Sequence, residues 1–157
     1  MNHIEKLFEL LEKATSQFHA VTATKEELVA AGFEELHLKD NWNLVKGGKY
    51  VLDHHGSTIF AFTIGEEFEA EDGFRIAASH GDFPGFRLKP NAEMEVGGYR
   101  QLNTETYGGA ILSTWLDRPL SVAGRGVLRS DEVFKPEVRL IDLKKPVLMI
   151  PNLAIHF

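Results

Sequence analysis

The stretch KYVLDHHGSTIFAFTI, residues 49–64, decides the fold at the centre of the chain. Lys49–Asp53 and Thr58–Ile64 are rich in β-branched and aromatic residues, and the His-His-Gly-Ser sequence between them has the composition of a turn. Two such runs joined by a short connection that contains glycine predict a β-hairpin. Because the two histidines fall in the turn, we expect His54 and His55 to be exposed to solvent.

Two helices are predicted before this hairpin. Apolar residues recur at helical spacing over residues 3–14, which predicts an amphipathic helix with one buried face. In the second helix Thr24 is the expected N-cap, Glu27 completes a capping box, and Gly32 is placed to end the helix. We interpret both apolar faces as core rather than as ligand sites.

Short strands are predicted after the hairpin. Phe74–Ser79 is an apolar run that indicates a buried strand, and it ends at the turn-forming sequence HGDFPG, residues 80–85. Gly and Pro then separate further runs at a spacing of about 8–12 residues, which is typical of sandwich or barrel modules. These runs are Phe86–Lys89, Tyr99–Leu102, Ala110–Trp115, Ser121–Leu128, Glu137–Ile141 and Val147–Ile150. The predicted fold class is therefore mixed α/β, with all-β structure towards the C-terminus.

Composition restricts the class of protein. The 157-residue chain is 43% hydrophobic and 25% charged, as ordinary globular domains are. Its net charge of -6 argues against a nucleic-acid-binding surface, which requires clustered Lys and Arg. No stretch approaches the roughly 20 apolar residues of a membrane span, and the N-terminal sequence lacks the basic flank of a signal peptide. We therefore expect a cytoplasmic protein with no nucleic-acid or membrane partner.

His80-Gly81-Asp82 is the sequence with the clearest capacity for metal chemistry. A histidine directly after a strand can present one ring nitrogen to a metal, and a carboxylate two residues on can accept the N–H of the other. Because the chain has no cysteine, any zinc ion would need such imidazole and carboxylate groups. The alternative is an ordinary turn in which Asp82 binds backbone amides and His80 is solvated. The residues alone leave both readings open.

The C-terminal sequence KKPVLMIPNLAIHF, residues 144–157, is strongly apolar. A domain normally ends at its surface, so this sequence indicates either a chain cut inside a fold or a last strand docked on the sheet. By pattern alone, His156 in this sequence is a core histidine.

Several longer segments of the chain occur in a characteristic order between about Phe18 and Phe157. The segments are FHAV at residues 18–21, GGKY at 47–50, SHGDFPGFRLKP at 79–90, GGYRQLNTETYGGAILSTWLDRPLSVAGRGVL at 97–128, and the C-terminal sequence at 144–157. They resemble the hallmark segments of the aspartyl aminopeptidase family, which are dinuclear-zinc metallo-aminopeptidases. The chain therefore resembles the N-terminal portion of such an enzyme.

This resemblance implies an organisation and a set of site residues. Residues 1–85 would be the N-terminal part of an α/β catalytic domain, and residues 86–157 the start of an inserted β-rich dimerisation domain. His80 would bind zinc, Asp82 would orient that histidine, and His156 would reach the active site of a neighbouring subunit. The complete site would hold two zinc ions, and the enzyme would act on peptides as a dimer-based homo-oligomer, a dodecamer in the family.

The implied activity is zinc-dependent removal of N-terminal residues, acidic ones among them, from peptides. The match departs from the family at Thr15-Ser16-Gln17, where a Ser-Pro pair is usual, and at Gly81, where Thr is commoner. The family's other zinc ligands lie in its C-terminal half, so we expect a fragment that is inactive by itself. The alternative is a catalytically silent oligomerisation module, and a third reading, a generic ligand-binding β domain, leaves the ordered matches unexplained.

Overall fold

The computed structural model describes residues 2–154 and 156. It contains two compact units, of which the first comprises residues up to Asp82 together with Val122–Lys144. The second comprises Phe83–Ser121 and the residues from Lys145 onwards. These units differ from the domains expected at 1–85 and 86–157, because residues 122–144 group with the first unit. The roles assigned to those two domains stay a prediction.

Helix α1 spans His3–Lys13 and agrees with the predicted helix. Asn2 caps it, because its side chain accepts from the backbone N–H groups of Ile4 and Glu5 while the Glu5 carboxylate reaches back to the Asn2 N–H. The expectation of a buried face was wrong, since no residue of α1 is buried. Its apolar stripe meets solvent, and its members are Ile4, Leu7, Phe8 and Leu11, each more than half exposed.

Helix α2 spans Gln17–Ala30, so the predicted N-cap at Thr24 was wrong and that residue lies inside the helix. The N-cap is Ser16, whose Oγ accepts from the His19 N–H at 3.4 Å and lies 2.7 Å from His19 Nδ1. The Thr24–Glu27 spacing of a capping box also occurs by chance inside helices. Ser16, which comes earlier, has the extended backbone of an N-cap residue, and this lets its hydroxyl accept a hydrogen bond from the first turn of the helix.

The predicted end of α2 at Gly32 is confirmed. Gly32 has φ +87°, a conformation that costs glycine little and other residues more. Its N–H donates to the Val29 carbonyl while the Phe33 N–H donates to the Leu28 carbonyl. This pair of bonds is the Schellman arrangement, which satisfies carbonyls that the helix end leaves unpaired.

The two candidate caps of α2 can be separated by mutation. Ser16→Ala is expected to lower the free energy of unfolding by about 1 kcal/mol, because it removes the acceptor of the His19 N–H. Thr24→Ala should change it by no more than about 0.5 kcal/mol, because alanine is the better helix former. Urea unfolding monitored by circular dichroism measures both; equal losses would contradict the cap assignment.

Three strands form the sheet of the first unit. Strand β2, Lys49–His54, pairs antiparallel with β3, Thr58–Thr63, which confirms the predicted hairpin. Strand β1, Glu34–Leu36, lies parallel to β2 on its other side and was not predicted, because three residues carry too little pattern. Within the turn His55 has φ +59° and Gly56 φ +69°.

The core lies between this sheet and α2. Tyr50, Val51 and Leu52 of β2 are buried, and the Tyr50 ring lies 5.3 Å from the Phe62 ring. The Tyr50 hydroxyl accepts from the Val45 N–H at 2.9 Å, so its one polar atom is satisfied. The remaining buried residues are Ala14, Ala20, Val21, Ala23 and Leu36.

Lys25 connects α2 to the sheet. Its Nζ lies 2.9 Å from Glu35 Oε1 and 3.7 Å from Asp53 Oδ2. The hydrogen bond to Glu35 raises the pKa of Lys25, and the charges of both carboxylates add to the effect against a partial loss of hydration. Since the three side chains are a quarter to a third exposed, each pair contributes at most about 1 kcal/mol.

The prediction of a buried strand at Phe74–Ser79 was wrong. Residues 73–81 form neither helix nor strand, and they have no hydrogen-bonded strand neighbour among the described residues. Phe74 is 86% exposed and Ile76 is 87% exposed. A strand requires a neighbour to pair its N–H and C=O groups, and strand-like composition cannot supply that neighbour.

The second unit is built on a long hairpin. Strand β4, Gly85–Val96, pairs antiparallel with β5, Tyr99–Tyr107, through a Gly97-Gly98 turn in which both residues have positive φ. Both strands extend well beyond the predicted runs. The strand predicted at Ala110–Trp115 was wrong, because Leu112–Trp115 is a 3₁₀-helix.

The C-terminal part of this unit makes little regular structure. The strand predicted at Val147–Ile150 reduces to two isolated bridges, in which Leu148 pairs with Leu120 and Ile150 with Leu116. None of the described residues of this unit is buried.

A further hairpin returns to the first unit. Strand β6, Ala123–Leu128, pairs antiparallel with β7, Glu137–Asp142, close to the predicted limits. It packs on α2 through Arg125, whose guanidinium lies 4.1 Å from the centre of the Phe18 ring. The same guanidinium donates to the His55 carbonyl at 2.9 Å, so it joins the hairpin to the β2–β3 turn.

Candidate metal centre

His80 and Asp82 lie at the end of the exposed segment 73–81. Nδ1 of His80 is 2.6 Å from Oδ1 of Asp82 and 3.2 Å from the Asp82 backbone carbonyl oxygen. The His80 side chain is 73% exposed, whereas that of Asp82 is only 13% exposed. The carboxylate is therefore held close to the chain while the imidazole ring projects outwards.

This contact fixes what the imidazole can do. A carboxylate beside Nδ1 favours the tautomer that carries its proton there, which leaves the lone pair on Nε2. Nε2 can then bind a Lewis acid, and the carboxylate orients the ring. Metal-binding histidines commonly have such a partner on their second nitrogen.

The described residues fit zinc only in part. In residues 2–154 and 156, no group of three or more His, Asp or Glu side chains is placed to hold a metal ion. Zinc in proteins takes about four ligands, of which three come from the protein in catalytic sites. His80 can therefore serve as one ligand, and a complete site needs ligands from further polypeptide.

His156, the third residue predicted for the site, lies in a turn and is exposed. Residues 155 and 157 beside it lie outside the described part of the chain. His156 belongs to the second compact unit, whereas His80 and Asp82 belong to the first. The prediction that His156 lies in the core was wrong, and its role in the active site of a neighbouring subunit stays a prediction.

Arg125, which no sequence motif marks as a site residue, lines a groove of about 630 Å³ in the first unit. Phe18 of α2 and Val138 and Leu140 of β7 form apolar parts of its wall. No local sequence signal could have revealed this groove, because His55, which accepts from Arg125, is 70 residues away along the chain.

Residues 10–157 match the sequence profile of the family described as aminopeptidase I zinc metalloprotease (M18). The chain belongs to the M18 family. The resemblance noted from the sequence is thereby confirmed for almost the whole chain.

Curated M18 relatives are longer than this chain. A probable M18 family aminopeptidase 2 of Clostridium acetobutylicum is 47% identical over 153 residues, which are 97% of this chain and 35% of the relative. The protein of the same description from Pseudomonas putida strain GB-1 is 41% identical over 150 residues, 96% of this chain and 34% of the relative. This M18 chain therefore spans about a third of the length of the relatives it matches.

Solved structures of M18 proteins share the fold. Chaetomium thermophilum mApe1 is 38% identical with a TM-score of 0.83, over 94% of this chain and 34% of that one. The S. cerevisiae mApe1 dodecamer is 29% identical with a TM-score of 0.83, over 97% of this chain and 36% of that one. The predicted mixed α/β fold class is confirmed. Within the described part of this M18 chain, no helix is long and apolar enough to cross a membrane.

Proposed function

We propose that this M18 chain supplies the N-terminal part of a zinc-dependent aminopeptidase that removes N-terminal residues from peptides. The observation that carries the proposal is the 2.6 Å contact between His80 Nδ1 and the Asp82 carboxylate. Family membership supports it, since the relatives are named aminopeptidases and the family is described as zinc metalloproteases.

In this proposal His80 is one zinc ligand through Nε2, and Asp82 holds its ring in place. Zinc would supply Lewis acidity there, and two such ions would complete the site. Asp82 keeps the proton on Nδ1 throughout, so that Nε2 stays available. The remaining ligands would come from polypeptide that corresponds to the rest of the longer relatives, and the chain by itself would be inactive.

The proposal extends to the assembly. Residues 1–85 would belong to the catalytic domain and residues 86–157 to a β-rich dimerisation domain. His156 would act at the site of a neighbouring subunit, which its exposed turn supports. A homo-oligomer is supported by the S. cerevisiae relative, which is described as a dodecamer. Preference for acidic N-terminal residues and a cytoplasmic location stay predictions.

Zinc titration and reconstitution test the function. The chain alone is expected to bind zinc weakly and below one equivalent, because one imidazole is a poor site. Mixing it with a separately produced polypeptide that corresponds to the remaining two thirds of the enzyme should restore both zinc binding and peptide hydrolysis. Substrates with N-terminal Asp or Leu then compare acidic with neutral preference. Tight binding of two zinc ions by the chain alone would contradict the proposed division of ligands.

A catalytically silent assembly module is the second candidate. It is favoured by the second compact unit, in which none of the described residues is buried, so that its apolar residues need a partner surface. The same mixing experiment separates the two functions. A stable complex that never gains aminopeptidase activity would favour the module over the enzyme.

A further inference from the structure

Asp117 has a backbone conformation that is uncommon for residues other than glycine. Its φ is +54°, which lies in the left-handed region. Asp and Asn enter this region more often than most residues do, because their short polar side chains can form hydrogen bonds nearby. Residues held in such conformations persist only where the surrounding structure fixes them, and they are frequent at active sites and clamps. In Asp117 a second segment of the chain fixes the conformation.

Asp117 binds the C-terminal segment on both sides of Pro151. Its N–H donates to the Ile150 carbonyl at 2.9 Å, and its Oδ1 accepts from the Asn152 N–H at 2.9 Å. The second bond is charge-assisted, because its acceptor is a carboxylate. Pro151 keeps φ at about −65°, so the chain between the two bonds has little freedom. Asp117 thus holds residues 150–152 at both ends.

Further backbone bonds extend this contact. The Leu120 N–H donates to the Leu148 carbonyl at 2.9 Å, and the Leu148 N–H donates to the Leu120 carbonyl at 3.1 Å. We refer to the pairing of residues 116–120 with residues 147–152 as the clasp. Both of its segments belong to the second compact unit, in which none of the described residues is buried. The described residues supply no packed core there, so hydrogen bonds of the clasp take over the task of fixing the C-terminal segment.

We propose that Asp117 is a positioning residue of the enzyme, which fixes the segment from which His156 extends towards the active site of a neighbouring subunit. Asn152 precedes His156 by four residues, so the two Cα atoms are at most about 13–14 Å apart in any conformation. The bond at Asn152 therefore limits where the imidazole can be presented. The inference rests on the proposed role of His156, and it names the residue that sets the position of that histidine.

The proposed effect of Asp117 is preorganisation. Its carboxylate bonds the backbone of its own subunit, so it acts on the reaction through the chain and not on the substrate. A segment that is already fixed loses less conformational entropy when its last residues enter a neighbouring site. A group that works in such a site must also be placed accurately, because an error of about 1 Å can cost about 100-fold in rate.

Matched variants separate the carboxylate from the backbone conformation. Asp117→Gly removes the acceptor without adding strain, because glycine adopts positive φ readily. Asp117→Asn keeps an Oδ1 acceptor and tolerates the same conformation. Asn91→Gly is the control, since Asn91 also has φ +54° and lies in the same unit, on β4 and outside the clasp. Circular dichroism and urea unfolding check that each variant keeps the parent's fold.

Amide hydrogen exchange in the 157-residue chain tests the clasp itself. We expect the Asn152 N–H to exchange several-fold faster in Asp117→Gly than in the parent, because the bond that protects it is lost. Asp117→Asn and Asn91→Gly should leave the rate close to that of the parent. An Asn152 amide that exchanges equally fast in the parent and in Asp117→Gly would overturn the proposal.

A double-mutant cycle in the reconstituted enzyme tests the positioning of His156. Asp117→Gly is expected to lower kcat by about 10–100-fold with unchanged bound zinc, and Asp117→Asn should restore most of it. In a His156→Ala enzyme the same Asp117→Gly change should have little further effect, because the residue through which it acts is gone.

Equal losses from Asp117→Gly with and without His156 would overturn the proposal while leaving the role of His156 intact. An equal loss in Asn91→Gly would overturn it as well, since the effect would then not belong to the clasp. If His156→Ala had the parent's rate, the proposed role of His156 would fall together with the inference. The zinc content and activity of a His80→Ala enzyme would still decide the aminopeptidase proposal separately.

Discussion

Replacing His80 by alanine is expected to abolish aminopeptidase activity in the reconstituted enzyme. The substitution removes the proposed zinc ligand, whereas Asp82→Asn changes only the side chain proposed to orient it, which lies 2.6 Å from its Nδ1. Loss of such a partner costs about 10–100-fold in metal affinity or activity, and loss of the ligand should cost more. The rate of release of an N-terminal residue and the bound zinc per chain measure both effects.

The response to added zinc distinguishes the Asp82→Asn variant from the His80→Ala variant. Excess zinc should partly restore the Asp82→Asn enzyme, because its ligand set is complete, and should do little for His80→Ala. His37→Ala is the matched control, since His37 is exposed and its backbone carbonyl, which the substitution keeps, accepts from the Trp42 Nε1–H and the Asp40 N–H. A His80→Ala enzyme with the parent's rate and zinc content would remove the basis of the proposed function.

Truncation of Tyr50 is expected to cause the largest loss of stability. The ring is 2% exposed and lies in the core beside Phe62. Removing a buried aromatic side chain costs about 3–5 kcal/mol, because the transfer free energy is lost and a cavity remains. The free energy of unfolding of a whole domain is only about 5–15 kcal/mol. Tyr50→Ala should therefore lower the urea midpoint strongly or prevent folding.

Two matched variants separate the causes. Tyr50→Phe keeps the ring but leaves the Val45 N–H without its acceptor, which should cost about 0.5–1.5 kcal/mol. Tyr99→Ala makes the same chemical change at a residue that is 74% exposed, and it should change the free energy of unfolding by about 0.5 kcal/mol or less. If Tyr50→Ala and Tyr99→Ala had equal effects, the assigned core would be wrong.

The sequence predicts those elements that depend on adjacent residues. The β2–β3 hairpin and the end of α2 at Gly32 follow from turn and cap residues that act within a few positions. The start of α2 was misassigned because Thr24 has the spacing of a capping box, while Ser16 supplies the cap. The run at Phe74–Ser79 has strand composition but lacks a described neighbour to pair with.

One part of the candidate site could be predicted from the sequence, and another part could not. His80 and Asp82 are two residues apart, so their contact follows from local chain geometry and could be anticipated. The groove beside Arg125 joins residues from α2, the β2–β3 turn and the β6–β7 hairpin, and their convergence depends on tertiary structure. Residues 122–144 group with the first unit, so the residues that line this groove are separated along the sequence by residues of the second unit.

The exposed segment at residues 73–81 also has a consequence inside a cell. Its backbone pairs with no strand among the described residues, and two of its side chains, Phe74 and Ile76, are almost fully solvated. This is the type of surface that chaperones and proteases recognise in unfolded proteins. A copy of this polypeptide that finds no covering surface is therefore expected to be degraded quickly. Its steady-state abundance would follow the supply of whatever covers that segment, rather than the rate of its own synthesis.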